Sequence, residues 1–434
     1  LRGIIGQLTL EIKALLKKRI NIISLLLERV LKLFLGFGVS ILLARHLGGE
    51  DYGKLNYVIS FVGIFAPFFI LGSEESTMKR IVSNSEPLPR ILTSSILVKV
   101  FGAVVGVALA IVSAMIWAPS WAFEMILLYV LFFFFQVFIT FHHYFLTKSQ
   151  GHYDAIWKTL VLFLIAFLKV YLIFSHFGWK AFVVVSSLEL LIFGLVYIFT
   201  FYRYKDFKMR FEFDLDSFKS LLLNSLPIFL FLLFDQALLR VDQVMIGNLL
   251  SDAELGQYAV ASKLVNLWNF VPIIVLSTLF PVMVKSFHLS STEFYSLTQK
   301  VIGGFFFISI LFGLVVTLIS EPLISSLYGE GFAQAVPILQ LYAWFPLFNF
   351  FVLFRAKIFT VTGELRLAIL VSLTVLLINI MVNFFLIPQY GAVGAVYSSM
   401  LSILTVSLAF SFLSKTIRVT NIQFLKSLYR APMD

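Results

Sequence analysis

Six basic residues lie inside long apolar runs of the sequence: Arg29, Lys32, Lys99, Lys169, Arg240 and Lys263. Four acidic residues are embedded in the same way: Glu28, Glu189, Asp235 and Asp242. A charge at the centre of an apolar helix costs at least about 2.5–3.5 kcal/mol if it faces lipid. Each must therefore face a polar interior, a water-filled cleft or a partner. Arg offers a planar fork for phosphate oxygens, and Lys a point charge. An excess of buried cations suits a ligand that carries phosphate and a greasy tail. Asp235, Asp242 and Glu189 are candidates for coupling to protons or sodium.

Spacing qualifies each candidate. Glu28 and Lys32 stand four apart with Glu on the N-terminal side, so they can pair on their own helix. Arg29 is then the unpaired cation of that helix, shallow enough to snorkel toward the inner surface. Lys99 lies roughly 12 Å along its helix at 1.5 Å per residue. Lys169 and Lys263 fall in the outer half of their spans. Arg240 sits mid-helix with Asp242 next but one, and Asp235 is one heptad before Asp242 on the same face. Arg240 and Asp242 either belong to an ion-pair network between helices or line a cleft.

Motifs for other chemistry are missing from the sequence. The six His (His46, His142, His143, His152, His176, His288) show no metal-ligand spacing. Tyr328-Gly-Glu-Gly331 follows no strand, so it is not a nucleotide loop. There is no Walker A sequence. An enzyme is not expected, nor a cofactor beyond H+ or Na+ coupling.

The elements that carry these charges follow from composition. Of 434 residues 60% are hydrophobic, 17% aromatic and 13% charged, with 50 Phe and no Cys. A soluble domain runs about 45–50% apolar and about 25% charged, and a disulfide-stapled secreted domain needs Cys. The chain reads as an integral membrane protein. A hydrocarbon core about 30 Å thick takes about 20 apolar residues in a helix. Twelve such runs occur, near 22–44, 52–72, 91–116, 122–146, 154–175, 181–203, 222–250, 256–284, 299–320, 333–358, 365–388 and 391–415. Period-two alternation is absent, which disfavours a barrel.

With the N-terminus inside, the inner segments carry 24 of the 33 Lys and Arg, among them Lys158 and Arg355, and the outer loops carry three. The positive-inside rule expects that asymmetry. It accounts for the net charge of +10 without nucleic acid. Both termini are expected in the cytoplasm.

The chain also looks internally duplicated. Ser40–Gly53 can be laid over Gln243–Gly256, Gln150-Gly151 over Thr362-Gly363, and Phe177-Gly178 over Tyr390-Gly391. The resulting organisation is an amphipathic cytoplasmic segment at 1–21, an N-lobe of helices 1–6 at 22–204 and a cytoplasmic connector at 205–221. A C-lobe of helices 7–12 follows at 222–417, and then a cytoplasmic tail at 418–434. Two parallel repeats create a cleft where a transporter holds substrate. Gly102-Ala-Val-Val-Gly106 reads as a face for close helix packing. Pro227, Pro272, Pro281 and Pro346 would bend helices of the second half.

Three readings compete. The first is a flippase for a lipid-linked oligosaccharide. The second is a cation-coupled small-molecule antiporter of the multidrug type, for which a cleft of opposite charge is expected. The third, a membrane glycosyltransferase or polymerase, needs a large outer loop, and none is long enough.

Ordered motifs favour the first. They are Leu43-Ala-Arg-His-Leu-Gly-Gly-Glu-Asp-Tyr-Gly53, Arg240-Val-Asp-Gln-Val-Met-Ile-Gly247, Leu255-Gly-Gln-Tyr-Ala-Val-Ala-Ser262 and Phe280-Pro281. Leu327-Tyr-Gly-Glu-Gly-Phe-Ala333 and the stretch Asn379–Ala395 complete the set. Through these the chain resembles the polysaccharide-transporter branch of the multidrug/oligosaccharidyl-lipid/polysaccharide exporter superfamily, the Wzx-type O-antigen and capsule repeat-unit flippases. The resemblance implies an all-α membrane protein with twelve transmembrane helices in two six-helix bundles around a central cavity. It implies translocation of an undecaprenyl-pyrophosphate-linked oligosaccharide across a bacterial inner membrane by alternating access and ion antiport. A polysaccharide polymerase and a chain-length regulator are the implied protein partners, and the chain itself is expected to be a monomer in the lipid bilayer. Only Arg240 and Asp242 sit in a motif of that family; the other candidates rest on burial.

Overall fold

The computed structural model describes the backbone of residues 2–413, 417–419 and 421–422. Within these it describes side chains from 21 onward, except 22, 288, 291, 292 and 413. The side chains expected to make segment 1–21 amphipathic, and most of tail 418–434, lie outside the described residues. Among the described residues all regular structure is helical.

The chain opens with α1 (Arg2–Ile64), which is broken at Gly48, where φ is 69° and ψ 179°. That region of backbone space is open essentially to glycine alone. Next come α2 (Ala66–Ile70), α3 (Glu74–Ser83) and α4 (Leu88–Trp117). The chain continues through α5 (Ser120–Phe133), a 3-10 turn at Phe134–Ile139, and α6 (Thr140–Thr147). The first half closes with α7 (His152–Phe174) and α8 (Trp179–Tyr204). The second half contains α9 (Leu215–Leu249), α10 (Asp252–Trp268), α11 (Phe270–Leu289) and α12 (Ser291–Tyr328). It ends with α13 (Ala335–Tyr342), α14 (Pro346–Thr362), α15 (Leu365–Tyr390) and α16 (Ala392–Leu413).

Among the described residues nine helices are long and apolar enough to cross a bilayer, and two bent pairs raise the number to eleven. The sequence reads twelve apolar runs, and the first two of them fall on α1 and α2, on either side of the break at Gly48. The bent pairs turn by 46° after Ile64 and 48° before Pro346. Proline explains both. Pro67 and Pro346 stand in the first turns of α2 and α14, where a missing N–H costs nothing. Pro346 thus opens α14 at the bend itself, whereas Pro227 and Pro281 lie within α9 and α11. Large apolar side chains such as Phe174 and Leu318 remain exposed, as a lipid-facing surface requires.

Two compact units form. One holds the chain up to His46 together with Phe61–Leu233; the other holds Leu47–Ser60 and the chain from Phe234 on. In the first unit Leu221 and Phe229 of α9 pack on Leu71 and on Val98 of α4. Gly102 and Gly106 let α4 approach Phe68 and Leu71 where a Cβ would collide with both. In the second unit the core joins α11, α12 and α14 through Leu276, Met283, Ile302, Phe305, Phe350 and Phe354. There Asn349 donates to Asn269 at 2.9 Å, tying the start of α14 to the break between α10 and α11.

Two basic residues expected in inner loops are instead buried within helices. Lys158 is 7% exposed on α7 and Arg355 5% exposed on α14. Both lie within a few turns of a span's end, where an apolar run reads as finished before its helix does.

Candidate functional site

Among the described carboxylates of the second unit, Asp242 is the buried one. The spacing of Asn379 and Asn383 puts both on one face of α15, and α16 follows after a turn at Gly391 that brings Ser399 back beside them. Asp242 Oδ2 accepts from Ser399 Oγ at 2.7 Å and from the Tyr258 hydroxyl at 3.0 Å. Asp242 Oδ1 accepts from Asn383 Nδ2 at 2.8 Å. Asn379 in turn donates to Ser399 Oγ and accepts from Asn383. Asn379, Asn383, Asp242 and Ser399 are all buried.

The side chains that hydrogen-bond Asp242 are all neutral, and among the described residues no cationic side chain lies within ion-pair distance of it. Arg240, two residues away and half-buried, therefore does not serve as its counter-ion. A buried charge that lacks an opposite charge is expensive. Asn383 Oδ1 is also buried with no hydrogen-bond partner. A carboxylate, an orphaned amide oxygen and a hydroxyl form an oxygen-rich cage of the kind that takes a proton or a hard cation.

The remaining candidates of the second unit are less enclosed. Asp235 is half-buried and takes no part in the Asp242 cage. Lys263 reaches the Tyr52 hydroxyl at 3.4 Å and lies 5.8 Å from that ring's centre.

The first unit holds a longer chain of charges. Glu28 pairs with Lys158 at 3.0 Å, and Lys158 approaches Asp154 at 3.9 Å. Asp154 bonds His142 Nδ1. The next residue, His143, meets Glu74 at 3.3 Å. Lys99 is wholly buried and donates to Thr140 Oγ1 at 2.6 Å, with Ser95 and Thr77 continuing the network. The expected Glu28–Lys32 pair is not formed. A buried ammonium from another helix satisfies Glu28, while Lys32 is exposed and lies 5.9 Å from the Phe193 ring centre. Arg29 is exposed as well. Lys169 and Glu189 pair at 3.1 Å, joining α7 to α8.

The structure thus groups Lys99 with Thr140, Lys169 with Glu189 and Lys263 with Tyr52, and does not gather the six cations into one cluster within either unit. Sequence reading does not single out Glu74 or Asp154, places Lys158 and Arg355 in inner segments, and finds no metal-ligand spacing for His142. The available signal was the four-residue spacing of Asp154 and Lys158 at the head of an apolar helix.

On the connector side, Lys148 pairs with Asp206 at 2.6 Å, and the Tyr144 hydroxyl donates to the same carboxylate at 2.5 Å. The Lys148 hydrogen bond, then that of Tyr144, holds the Asp206 carboxyl below its ordinary pKa. Burial works to lower Lys148, yet the bond to Asp206 leaves it raised.

The sequence model of a family described as polysaccharide biosynthesis proteins matches residues 19–287, and the chain belongs to that family. Among curated proteins none matches the sequence. Solved structures share the fold at low identity. A lipid II flippase, MurJ, in an inward closed conformation superposes with a TM-score of 0.71 at 15% identity, over 94% of this chain and 90% of that one. An inward-facing MATE-family multidrug resistance transporter of the MOP superfamily gives 0.69 at 12% identity, over 94% and 98%. An outward-facing one gives 0.61 at 14%, over 96% and 95%. These three structures are of a flippase and two transporters.

Proposed function

With membership of a polysaccharide biosynthesis family as the premise, we propose that the chain is a flippase. It moves undecaprenyl-pyrophosphate-linked oligosaccharide repeat units across a bacterial inner membrane for O-antigen, capsule or exopolysaccharide assembly, by alternating access. The observation that carries the reading is the family match over 19–287 in a chain whose apolar helices hold more cations than anions. The likeness of fold to a flippase is consistent with it.

In this reading Arg29, Lys32, Arg240 and Lys263 take the pyrophosphate oxygens in turn. Arg29 and Lys32 are exposed from a membrane helix, and a cation at that depth needs water or an anion. Lys99, whose ammonium donates to the neutral Thr140 hydroxyl, is a deeper phosphate contact. Lys169 becomes available when its pair with Glu189 opens. The Asp242 cage holds the coupling ion, H+ or Na+, with Asp235 nearby on α9. The charge asymmetry of the loops supports cytoplasmic termini. A polymerase and a chain-length regulator would act on the delivered repeat units.

The test is translocation of a fluorescent undecaprenyl-pyrophosphate oligosaccharide in proteoliposomes. The intact chain should make the label accessible from the opposite leaflet, and Arg29→Glu or Arg240→Glu should abolish that while the protein still inserts. Unchanged translocation by both variants would overturn the assignment of these two cations. Transport of an organic cation instead of the lipid would favour the antiporter.

A further inference from the structure

Arg355 presents a problem that the transport reading does not use. Its guanidinium is buried within α14 and has five N–H donors. Nη1 donates to Ser407 Oγ at 2.6 Å and Nη2 to Asn421 Oδ1. Nε has no hydrogen-bond partner. Among the described residues no carboxylate lies within ion-pair distance. Three donors and a full positive charge are left in apolar surroundings, and such a charge is retained only where an anion completes it.

Arg355 also lines a cavity of about 280 Å³. The other walls are chiefly hydrocarbon: Phe306, Leu347, Phe348, Phe351, Leu404 and Leu408. Leu404 and Leu408 are 44% and 56% exposed, so the cavity lies beside a lipid-facing surface of α16. Ser407 and Arg355 are each roughly 10 Å from the end of their helices at 1.5 Å per residue. At that end Arg418 donates to the carbonyls of Ser411 and Phe412, adding a second cation. A free inorganic anion would use none of the hydrocarbon walls.

We propose that the Arg355 cavity is a binding site for an anionic phospholipid of the surrounding bilayer, whose phosphate completes the guanidinium while an acyl chain runs along Phe351, Leu404 and Leu408. A phosphate takes two parallel N–H bonds from one guanidinium. A headgroup near a helix end with its chain against an outward-facing helix is the posture of a lipid in its own leaflet, which favours a resident lipid over a carried polyprenyl phosphate.

The experiment is native mass spectrometry of the full chain, delipidated in detergent and titrated with dioleoyl phosphatidylglycerol, dioleoyl phosphatidylcholine or undecaprenyl phosphate. A charge-assisted hydrogen bond contributes about 1.5–3 kcal/mol, so phosphatidylglycerol should be retained at least about tenfold better than phosphatidylcholine. Arg355→Gln should bring the two lipids to parity. Leu404→Trp, which keeps the charge and fills the chain's path, should weaken phosphatidylglycerol retention, and it carries the test if Arg355→Gln fails to fold. Equal retention of both phospholipids by the unaltered chain, a preference that survives Arg355→Gln, or full retention by Leu404→Trp would each overturn the site. Stronger retention of undecaprenyl phosphate than of phosphatidylglycerol would overturn its assignment to bilayer lipid. Translocation of the oligosaccharide is not read in this assay, so the flippase reading stands or falls separately.

Discussion

Gly53 and Gly256 meet backbone to backbone, each occupying a place where the other's chain leaves no room for a side chain. A Cβ on Gly53 would collide with the Asp252 carbonyl, and one on Gly256 with the carbonyl of Gly49. These are the same two glycines that coincide when the halves of the sequence are overlaid. A Cβ here has only rigid main chain to push against, so Gly53→Ala or Gly256→Ala should destabilise by about 1–3 kcal/mol. A drop in melting temperature in detergent for both variants checks this. An unchanged melting temperature would mean that the two segments are not in contact.

The Asp242 cage makes a sharper demand. Asp242→Asn keeps the volume but removes the charge that a coupling ion would neutralise. Loss of a charge-assisted contact costs about 1.5–3 kcal/mol, so gradient-driven translocation should fall roughly ten- to a hundredfold while the thermal stability holds or rises. Translocation is compared with and without imposed proton and sodium gradients. Full gradient dependence in Asp242→Asn would remove this residue from coupling.

Lys169 and Glu189 are 17% and 22% exposed, so their pair is largely shielded from water. Neutralising either one alone strands the other charge. The expected loss is below the about 3–5 kcal/mol of a fully buried pair. The double variant Lys169→Met with Glu189→Met should recover most of it. A double-mutant cycle on unfolding free energies reads this coupling, and additive losses would show that the two side chains do not depend on one another.

The Lys148–Asp206 pair predicts a pH dependence. Asp206 has a depressed pKa in the folded protein, so it binds fewer protons folded than unfolded in the acid range. Its contribution is complete above the ordinary carboxylate pKa and disappears as pH falls through the depressed value. Lys148 is raised, so its share is complete below the ordinary lysine pKa and is lost as pH climbs through the raised one. Melting temperatures across the acid range should therefore fall less steeply for Asp206→Asn than for the unaltered chain. Parallel curves would contradict the pairing.

The apolar runs made the spans legible, because hydrocarbon thickness dictates length and the charges between runs cluster by side. Individual partners were not legible. Glu28 and Lys32 have ideal spacing for a pair, yet Lys158 from α7 reaches Glu28 instead, a choice made by tertiary packing that one helix cannot reveal. Arg355 read as a loop residue because charge is the usual mark of a span's end. Its burial depends on Ser407 and Asn421, which are 52 and 66 residues away. Asp242 stood out by its position within an apolar run, but the four neutral residues that surround it come from three other helices. No pattern local to α9 specifies them.

The placement of Leu47–Ser60 and of the first half of α9 has a consequence for biogenesis. The earlier unit owes part of its core to Leu221 and Phe229, which leave the ribosome only after α8 has been made. The later unit needs Leu47–Ser60, a peptide synthesised well before the rest of it. Tyr57 bonds Asn248 and Ser60 bonds Gln243 there. Neither half is complete when expressed by itself, and a gene cut within the connector would have to yield both products together before either could reach its mature packing.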